Sequence, residues 1–200
     1  MILYHLTSIY HLATIMSAGY LKAVESNVSL LPRYEHVGPD VVWLTTSRRA
    51  GQGWSRMTPG LEFVDKTRVI FEVELPDAEV HLWKPWAEAH GSTERFIRAL
   101  AAAGDESVGF RDGHDADVER AYREWYVIER AIAWPEWRSV TDRLAGTVLW
   151  EMTPGQIEQG EMTLPKLWSL PEMGSKFTNL KHLPVSIYSA EDPDLAVKID

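Results

Sequence analysis

The chain has 200 residues, a formal net charge of −9 at pH 7 and no cysteine. The acidity argues against a broad electrostatic grip on nucleic acid, which needs lysine and arginine to neutralise phosphates. The lack of cysteine excludes disulfides, thiolate nucleophiles and cysteine metal sites. No apolar run approaches the roughly 18 residues that span a bilayer, and the N-terminus lacks the pattern of a signal peptide. We therefore expect a cytoplasmic protein with no membrane partner, and delivery by a specialised secretion machine is compatible with the same sequence.

The first part of the chain mixes strand and helix signals. Residues 2–6 are predicted to form a strand, and Ser8 is placed to cap the helix that follows. Residues 41–46 and 68–75 are predicted to form two further strands, the second of which alternates apolar with mostly polar side chains. A helix is expected over residues 48–57, although its glycines weaken the signal.

The second part of the chain is predicted to begin with a helix over residues 93–103. A polar, helix-like segment over residues 115–123 leads into an aromatic and β-branched strand over residues 125–132. A further strand is predicted over residues 147–151. From residue 153 onward, five prolines predict a loop-rich segment.

Short strands dominate this pattern, and single helices are interspersed without a regular β-α-β alternation. The pattern indicates an α+β fold instead of a doubly wound sheet. We expect a core over residues 1–152 and a loop-rich extension over residues 153–200 that packs on it. Neither of the two common glycine-rich phosphate-binding motifs is present.

Several side chains are candidates for a site, and each also has a structural interpretation. Glu124 lies where the polar segment meets the aromatic strand, so it is either a catalytic group or an ion-pair partner of Arg120 or Arg123. His5 is compatible with a hydrogen-bonded core histidine, and Trp43 with a ring of the hydrophobic core. Nine tryptophans are more than a core of this size needs, which favours a cleft in which some rings stack on a flat ligand.

The remaining candidates are weaker when they are taken alone. Arg48 and Arg49 are typical of a solvated helix start, and Thr7 of an ordinary strand threonine. The cluster from His114 to Asp117 has metal-ligand residue types, but its spacing fits no compact site, so we predict no metal.

Three ordered segments carry a family resemblance. The first is Tyr4-His5-Leu6-Thr7 on the opening strand, followed by a helix that ends in Ile15-Met16-Ser17-Ala18-Gly19. The second is Trp43 on a strand with Trp54 on the following helix, and the third is Glu124. In this order they resemble the ADP-ribosyltransferase superfamily in its His–aromatic–Glu, diphtheria-toxin-like branch. Small bacterial members, the rifamycin-modifying enzymes and the DNA-modifying toxins, are the most similar in character over about residues 1–135.

This resemblance implies a split, mainly antiparallel β-core with flanking helices and an enzyme that uses NAD as its substrate. It assigns two catalytic residues. Glu124 stabilises the positive charge that develops on the ribose when the nicotinamide bond breaks, and His5 hydrogen-bonds a ribose hydroxyl.

The resemblance also implies contacts with the rest of the dinucleotide. Trp43 and Trp54 are expected to clamp the nicotinamide ring, and Thr7 to add a hydroxyl contact. Arg48 or Arg49 is expected to meet the pyrophosphate, because a guanidinium matches phosphate oxygens in bidentate fashion.

The implied activity is transfer of ADP-ribose from NAD to an unidentified acceptor, which is a nucleic acid, a protein or a small molecule. Two alternatives remain open. One is an RNA 2′-phosphotransferase-like enzyme, which normally relies on an additional N-terminal region that this chain is expected to lack. The other is a catalytically inactive module that binds NAD or ADP-ribose.

Overall fold

The structure is a computed structural model that describes residues 1–24, 38–48, 67–103, 115–160 and 162. All of them belong to one unit, Met1–Leu164. The predicted extension over residues 153–200 lies almost wholly outside the described residues, so the predicted boundary between core and extension stays a prediction.

The described residues form nine strands and five α-helices. The strands are β1 (Ile2–Thr7), β2 (Tyr20–Leu21), β3 (Val42–Thr45), β4 (Val69–Glu74), β5 (His81–Leu82), β6 (Trp125–Ile128), β7 (Ile132–Ala133), β8 (Trp137–Asp142) and β9 (Thr147–Glu151). The helices are α1 (Ile9–Ala18), α2 (Trp83–Ala89), α3 (Glu94–Ala103), α4 (Asp115–Glu124) and α5 (Pro154–Gln159).

Seven of these strands form one sheet in the order β5-β6-β3-β1-β4-β8-β9, and β2 pairs with β7 in a separate ribbon. Every pairing between these named strands is antiparallel. The predicted α+β class is therefore confirmed at this level, with a mainly antiparallel sheet and a few helices.

The sheet is joined narrowly in its middle. β1 pairs with β4 along its whole length, from Ile2 opposite Glu74 to Thr7 opposite Val69. In contrast, β1 and β3 are in register at one residue pair only, Tyr4 opposite Thr45. We call this boundary between β1 and β3 the seam. Because few backbone bonds cross it, side chains have room to bond the backbone there.

The first helix follows its sequence signals closely. Ser8 has the extended backbone of an N-cap residue, with φ −84° and ψ 159°. Gly19 ends the helix at φ 74°, a left-handed conformation that glycine adopts without a steric penalty. Its N–H donates to the carbonyl of Ile15, with 2.9 Å between the atoms, which completes the helix end.

Three helices, α2, α3 and α4, cover one face of the sheet over β3 and β6. The interface is apolar and rich in tryptophan; most of its members are nearly inaccessible to water, and Trp43 is partly buried against them. Trp83 is 0% exposed and packs against both Trp43 and Trp125, with ring centroids 5.7 Å and 5.3 Å apart respectively. We call these three residues the tryptophan cluster. Its burial is the main source of stability for this half of the sheet.

A second row of aromatic rings lies in the other half of the sheet. Phe71 on β4 packs edge-on against Trp137 on β8, with centroids 5.0 Å apart, and Trp137 meets Trp150 on β9 at 6.0 Å. Phe71 and Trp137 are fully buried. His5 lies opposite Phe71 in the β1–β4 pairing and contacts its ring at 6.4 Å.

One predicted boundary is wrong, and two elements were not predicted. The strand predicted over residues 125–132 ends at Ile128, because the chain bends at Glu129 and Arg130 and resumes as β7 in the separate ribbon. Strand β8 and the short helix α5 were not predicted at all. The helix expected over residues 48–57 lies, except for Arg48, outside the described residues.

Candidate functional site

His5 is held at the seam by a hydrogen bond to the neighbouring strand. Its side chain is half-buried, and its Nδ1 lies 2.9 Å from the carbonyl oxygen of Trp43. A carbonyl oxygen only accepts, so Nδ1 must carry the hydrogen. Burial lowers the pKa of the imidazole, the Trp43 carbonyl opposes this effect, and nearby His11 lowers the pKa further. The ring is therefore neutral at pH 7, which leaves Nε2 as a hydrogen-bond acceptor.

The indole ring of Trp43 lies on the side of the sheet opposite to the His5 side chain. Trp43 lies two residues before Thr45, whose partner across the seam is Tyr4, so Trp43 and Tyr4 face the same side of the sheet. His5 follows Tyr4 directly and faces the other side. The Trp43 indole belongs to the tryptophan cluster on the helix-covered side. The structure thus brings His5 together with the backbone of Trp43 and not with its ring.

Glu124 is the last residue of α4, and β6 begins at the next residue. The predicted junction between helix and strand is confirmed at this position. The Glu124 carbonyl accepts a hydrogen bond from the N–H of Thr46, with 3.0 Å between the atoms, which ties the helix end to the end of β3. Its side chain is half-buried. Because β3 alone separates β1 from β6, the backbones that carry His5 and Glu124 are on the order of 10 Å apart.

Arg48 lies on the side of the sheet that Tyr4 faces. Its guanidinium sits over the Tyr4 ring, 5.2 Å from the centroid, and 3.9 Å from a carboxylate oxygen of Glu72. Tyr4 and Glu72 are opposite each other in the β1–β4 pairing, which explains why both meet the same side chain. Arg48 is therefore engaged on the side of the sheet opposite to His5.

The other predicted residues divide into two groups. Thr7 is described, lies at the end of β1 and is 7% exposed. Trp54 and Arg49 fall outside the described residues, so their predicted roles stay predictions. Ser8 was predicted only as a helix cap, and His11, one turn into α1, was not predicted as a site residue. The signal that points to both is the position of the motif Tyr4-His5-Leu6-Thr7, which runs directly into this helix.

Neither a metal centre nor a membrane span is formed by the part of the chain that the structure describes. In that part, no group of three or more His, Cys, Asp or Glu side chains is arranged to hold a metal ion. None of its helices is long and apolar enough to cross a membrane.

Comparisons with known proteins give no relative: no family model, curated protein or solved structure matches this chain. The family resemblance therefore depends on the three sequence segments and on how they are arranged. Among the described residues, the strands that carry His5 and Trp43 and the strand that follows Glu124 are consecutive neighbours in the sheet.

Proposed function

We propose that this protein is an NAD-dependent ADP-ribosyltransferase with an ADP-ribosyltransferase-like split β-core. One observation carries the proposal. His5 and Trp43 lie on β1 and β3, and Glu124 ends α4 directly before β6. These three strands are adjacent in the sheet although the residues are far apart along the chain, and the His5 imidazole bonds across the seam. In the proposal, a ligand that lies along this part of the sheet contacts both the imidazole and the carboxylate.

The proposed role of His5 follows from its protonation state. A neutral ring with hydrogen on Nδ1 presents an Nε2 lone pair, which accepts a hydrogen bond from a ribose hydroxyl. The Trp43 carbonyl fixes this tautomer and the orientation of the ring. In the proposal, Trp43 thus acts through its backbone as a positioning residue for His5.

The proposed role of Glu124 is electrostatic. The glycosidic bond between nicotinamide and ribose breaks with its electron pair on nicotinamide, and positive charge develops on the ribose. A carboxylate close to that ribose stabilises the charge, and a nucleophile of the acceptor then forms the new bond to the same carbon. A fixed charge of this kind is worth roughly 10²- to 10³-fold in rate, by analogy with donors in oxyanion holes.

Stacking on the nicotinamide ring is assigned mainly to Trp54. Trp54 keeps the role predicted for it, whereas the Trp43 ring packs against the other two members of the tryptophan cluster. One flat aromatic face is sufficient to hold a nicotinamide ring in an offset stack.

The test compares Glu124→Gln with wild type for the release of nicotinamide from NAD. Mass spectrometry measures the nicotinamide and any product that is heavier by one ADP-ribose. We expect the rate to fall roughly 10²- to 10³-fold, because the neutral amide cannot stabilise the ribose cation. Glu119→Gln is the matched control, since Glu119 is an exposed carboxylate on the same helix. Equal rates for Glu124→Gln and wild type would remove Glu124 from the mechanism.

The packing of Trp43 favours one alternative function. If two free indoles are required to expel nicotinamide, a chain with one of them in its core binds the dinucleotide without cleaving it. This alternative is a catalytically inactive NAD- or ADP-ribose-binding module. Binding of NAD by wild type without any release of nicotinamide would support this alternative over the enzyme.

A further inference from the structure

Ser8, between β1 and α1, has a hydroxyl that finds no partner among the described residues. The residue is 1% exposed, and in the described part of the chain its Oγ makes no hydrogen bond. Its backbone has the N-cap conformation, but the hydroxyl makes no capping bond to an amide of the first turn. Burying a hydroxyl without a hydrogen bond is unfavourable, so a retained one calls for an explanation such as a missing ligand.

The helix that follows has the electrostatic features of an anion site. α1 is ten residues long, and its first turn contains no acidic side chain to offset the positive end of the helix dipole. The N–H of His11 already donates to the Ser8 carbonyl at 3.2 Å, so an anion here is bound by the first-turn amides that precede His11. The first-turn amides and the unpartnered hydroxyl are thus located at the same helix end. A phosphate group is the ligand that this combination favours.

The location also fits a dinucleotide that contacts His5. Ser8 follows Thr7, the last residue of the strand that carries His5, so the helix end is about three residues or 10 Å from His5 along the chain. Arg48, the predicted pyrophosphate contact, is engaged on the opposite side of the sheet. A phosphate near His5 therefore needs a different partner.

We propose that the N-terminus of α1 binds one phosphate group of the dinucleotide and that the Ser8 hydroxyl donates a hydrogen bond to it. This assignment rests on the proposed function, since it identifies part of the site for NAD. It makes Ser8 a binding residue and not only a helix cap. The net charge of −9 repels an anionic ligand, so its binding depends on a local site such as this one.

The experiment is calorimetric titration of wild type, Ser8→Ala and Ser8→Asp with ADP-ribose and, separately, with adenosine. Ser8→Ala removes the hydrogen bond to a charged group, so we expect ADP-ribose to bind roughly tenfold to a hundredfold more weakly. Ser8→Asp caps the helix at least as well as serine but repels phosphate, so we expect a larger loss. Adenosine, which has no phosphate, should bind all three proteins equally.

The two serine variants together separate binding from folding. If Ser8→Ala merely destabilises the helix, its thermal midpoint falls and Ser8→Asp restores both the midpoint and the affinity for ADP-ribose; that result overturns the proposal. Thr153→Ala is the matched control, because Thr153 is the N-cap of α5 and its N–H bonds the Gln156 side chain at 2.8 Å. It should leave the affinity for ADP-ribose unchanged.

Failure of this proposal is distinguishable from failure of the proposed function. If wild type releases nicotinamide and both Ser8 variants bind ADP-ribose as wild type does, the phosphate site is wrong and the enzyme stands. If wild type binds neither NAD nor ADP-ribose and releases no nicotinamide, both proposals fall.

Discussion

The two halves of the seven-stranded sheet both bury an apolar core but differ in the contacts that accompany it. In the half formed by β5, β6 and β3, the helices bury an apolar face, and the tryptophan cluster lies at its centre. In the half formed by β1, β4, β8 and β9, long antiparallel pairings are reinforced by arginine–carboxylate pairs such as Arg68 with Asp142 and Arg138 with Glu74. Both halves have a packed apolar core, and the second half adds long backbone pairings and ion pairs to its packing.

The candidate site lies where these halves meet. His5 belongs to the second half, and Trp43 and Glu124 belong to the first, with the bond between His5 and Trp43 across the seam. Each half is held by its own interactions, so the side chains on either side of the seam are positioned by well-packed elements. A binding site benefits from such support, because the geometry of its polar groups is then fixed before the ligand arrives.

The largest loss of unfolding free energy is expected for a substitution in the helix-covered half. Trp83→Ala removes a fully buried ring that contacts Trp43 and Trp125, and core truncations of this size cost about 3 to 5 kcal/mol of unfolding free energy. Urea denaturation measures the change. Trp83→Phe is the control: it keeps a ring and removes an indole N–H that has no hydrogen-bond partner among the described residues, so we expect a much smaller loss. Equal losses for both variants would contradict a packing origin.

A smaller effect is expected from an ion pair in the other half of the sheet. The carboxylate of Asp142 accepts hydrogen bonds from Arg68 at 2.8 Å and from the N–H groups of Leu144 and Ala145 at 3.0 and 3.2 Å. Asp142 is 5% exposed, whereas the Arg68 side chain is 33% exposed. Asp142→Asn should therefore cost about 2 kcal/mol, less than the loss of a fully buried pair.

The same pair has a defined pH dependence. Burial by itself raises the pKa of the Asp142 carboxyl, but the hydrogen bonds from Arg68 and the two amides outweigh burial and lower it. The stability from this lowered pKa is complete above the unfolded value of about 3.9 and is lost as the pH falls from there through the folded-state pKa. The difference in unfolding free energy between wild type and Asp142→Asn should shrink below about pH 4. A difference that is constant down to pH 2 would refute this origin.

The comparison between halves also explains what the sequence could predict. β4 was predicted because its apolar residues alternate regularly, and α1 because a cap, an apolar stripe and Gly19 agree. β8 was not predicted, because a bulge in its pairing with β4 breaks the alternation of buried and exposed residues. Trp137 and Val140 are both buried at a spacing of three residues, since Val73 pairs with Trp137 and Glu72 with Ser139.

The sequence could predict which segments form the site, but not which side of the sheet each side chain faces. Sequence order and motif identified the segments that carry His5, Trp43 and Glu124, and these segments occupy neighbouring strands. Which side of the sheet each ring faces depends on the register across the seam, where Tyr4 meets Thr45. Register is a property of two distant segments together, so local patterns in either one do not contain it.

The smallest expected effect lies at the seam itself and concerns the protonation of His5. Its pKa is lowered mainly by burial, so the folded protein binds a proton less readily than the unfolded chain. Stability from this source is therefore complete above the unfolded value of about 6.5 and declines as the pH falls from there through the folded-state pKa. His5→Asn removes the titrating ring while its side-chain amide can still donate to the Trp43 carbonyl.

We expect the slope of unfolding free energy against pH between pH 7 and 5 to be shallower for His5→Asn than for wild type, as measured by urea denaturation. His81→Asn is the matched control, because His81 is an exposed histidine on β5. If His5→Asn and His81→Asn change the slope equally, burial of His5 at the seam is not its cause. If only His5→Asn does so, a neutral imidazole joins the two halves of the sheet at neutral pH, and acidification weakens the molecule at the point where the proposed ligand binds.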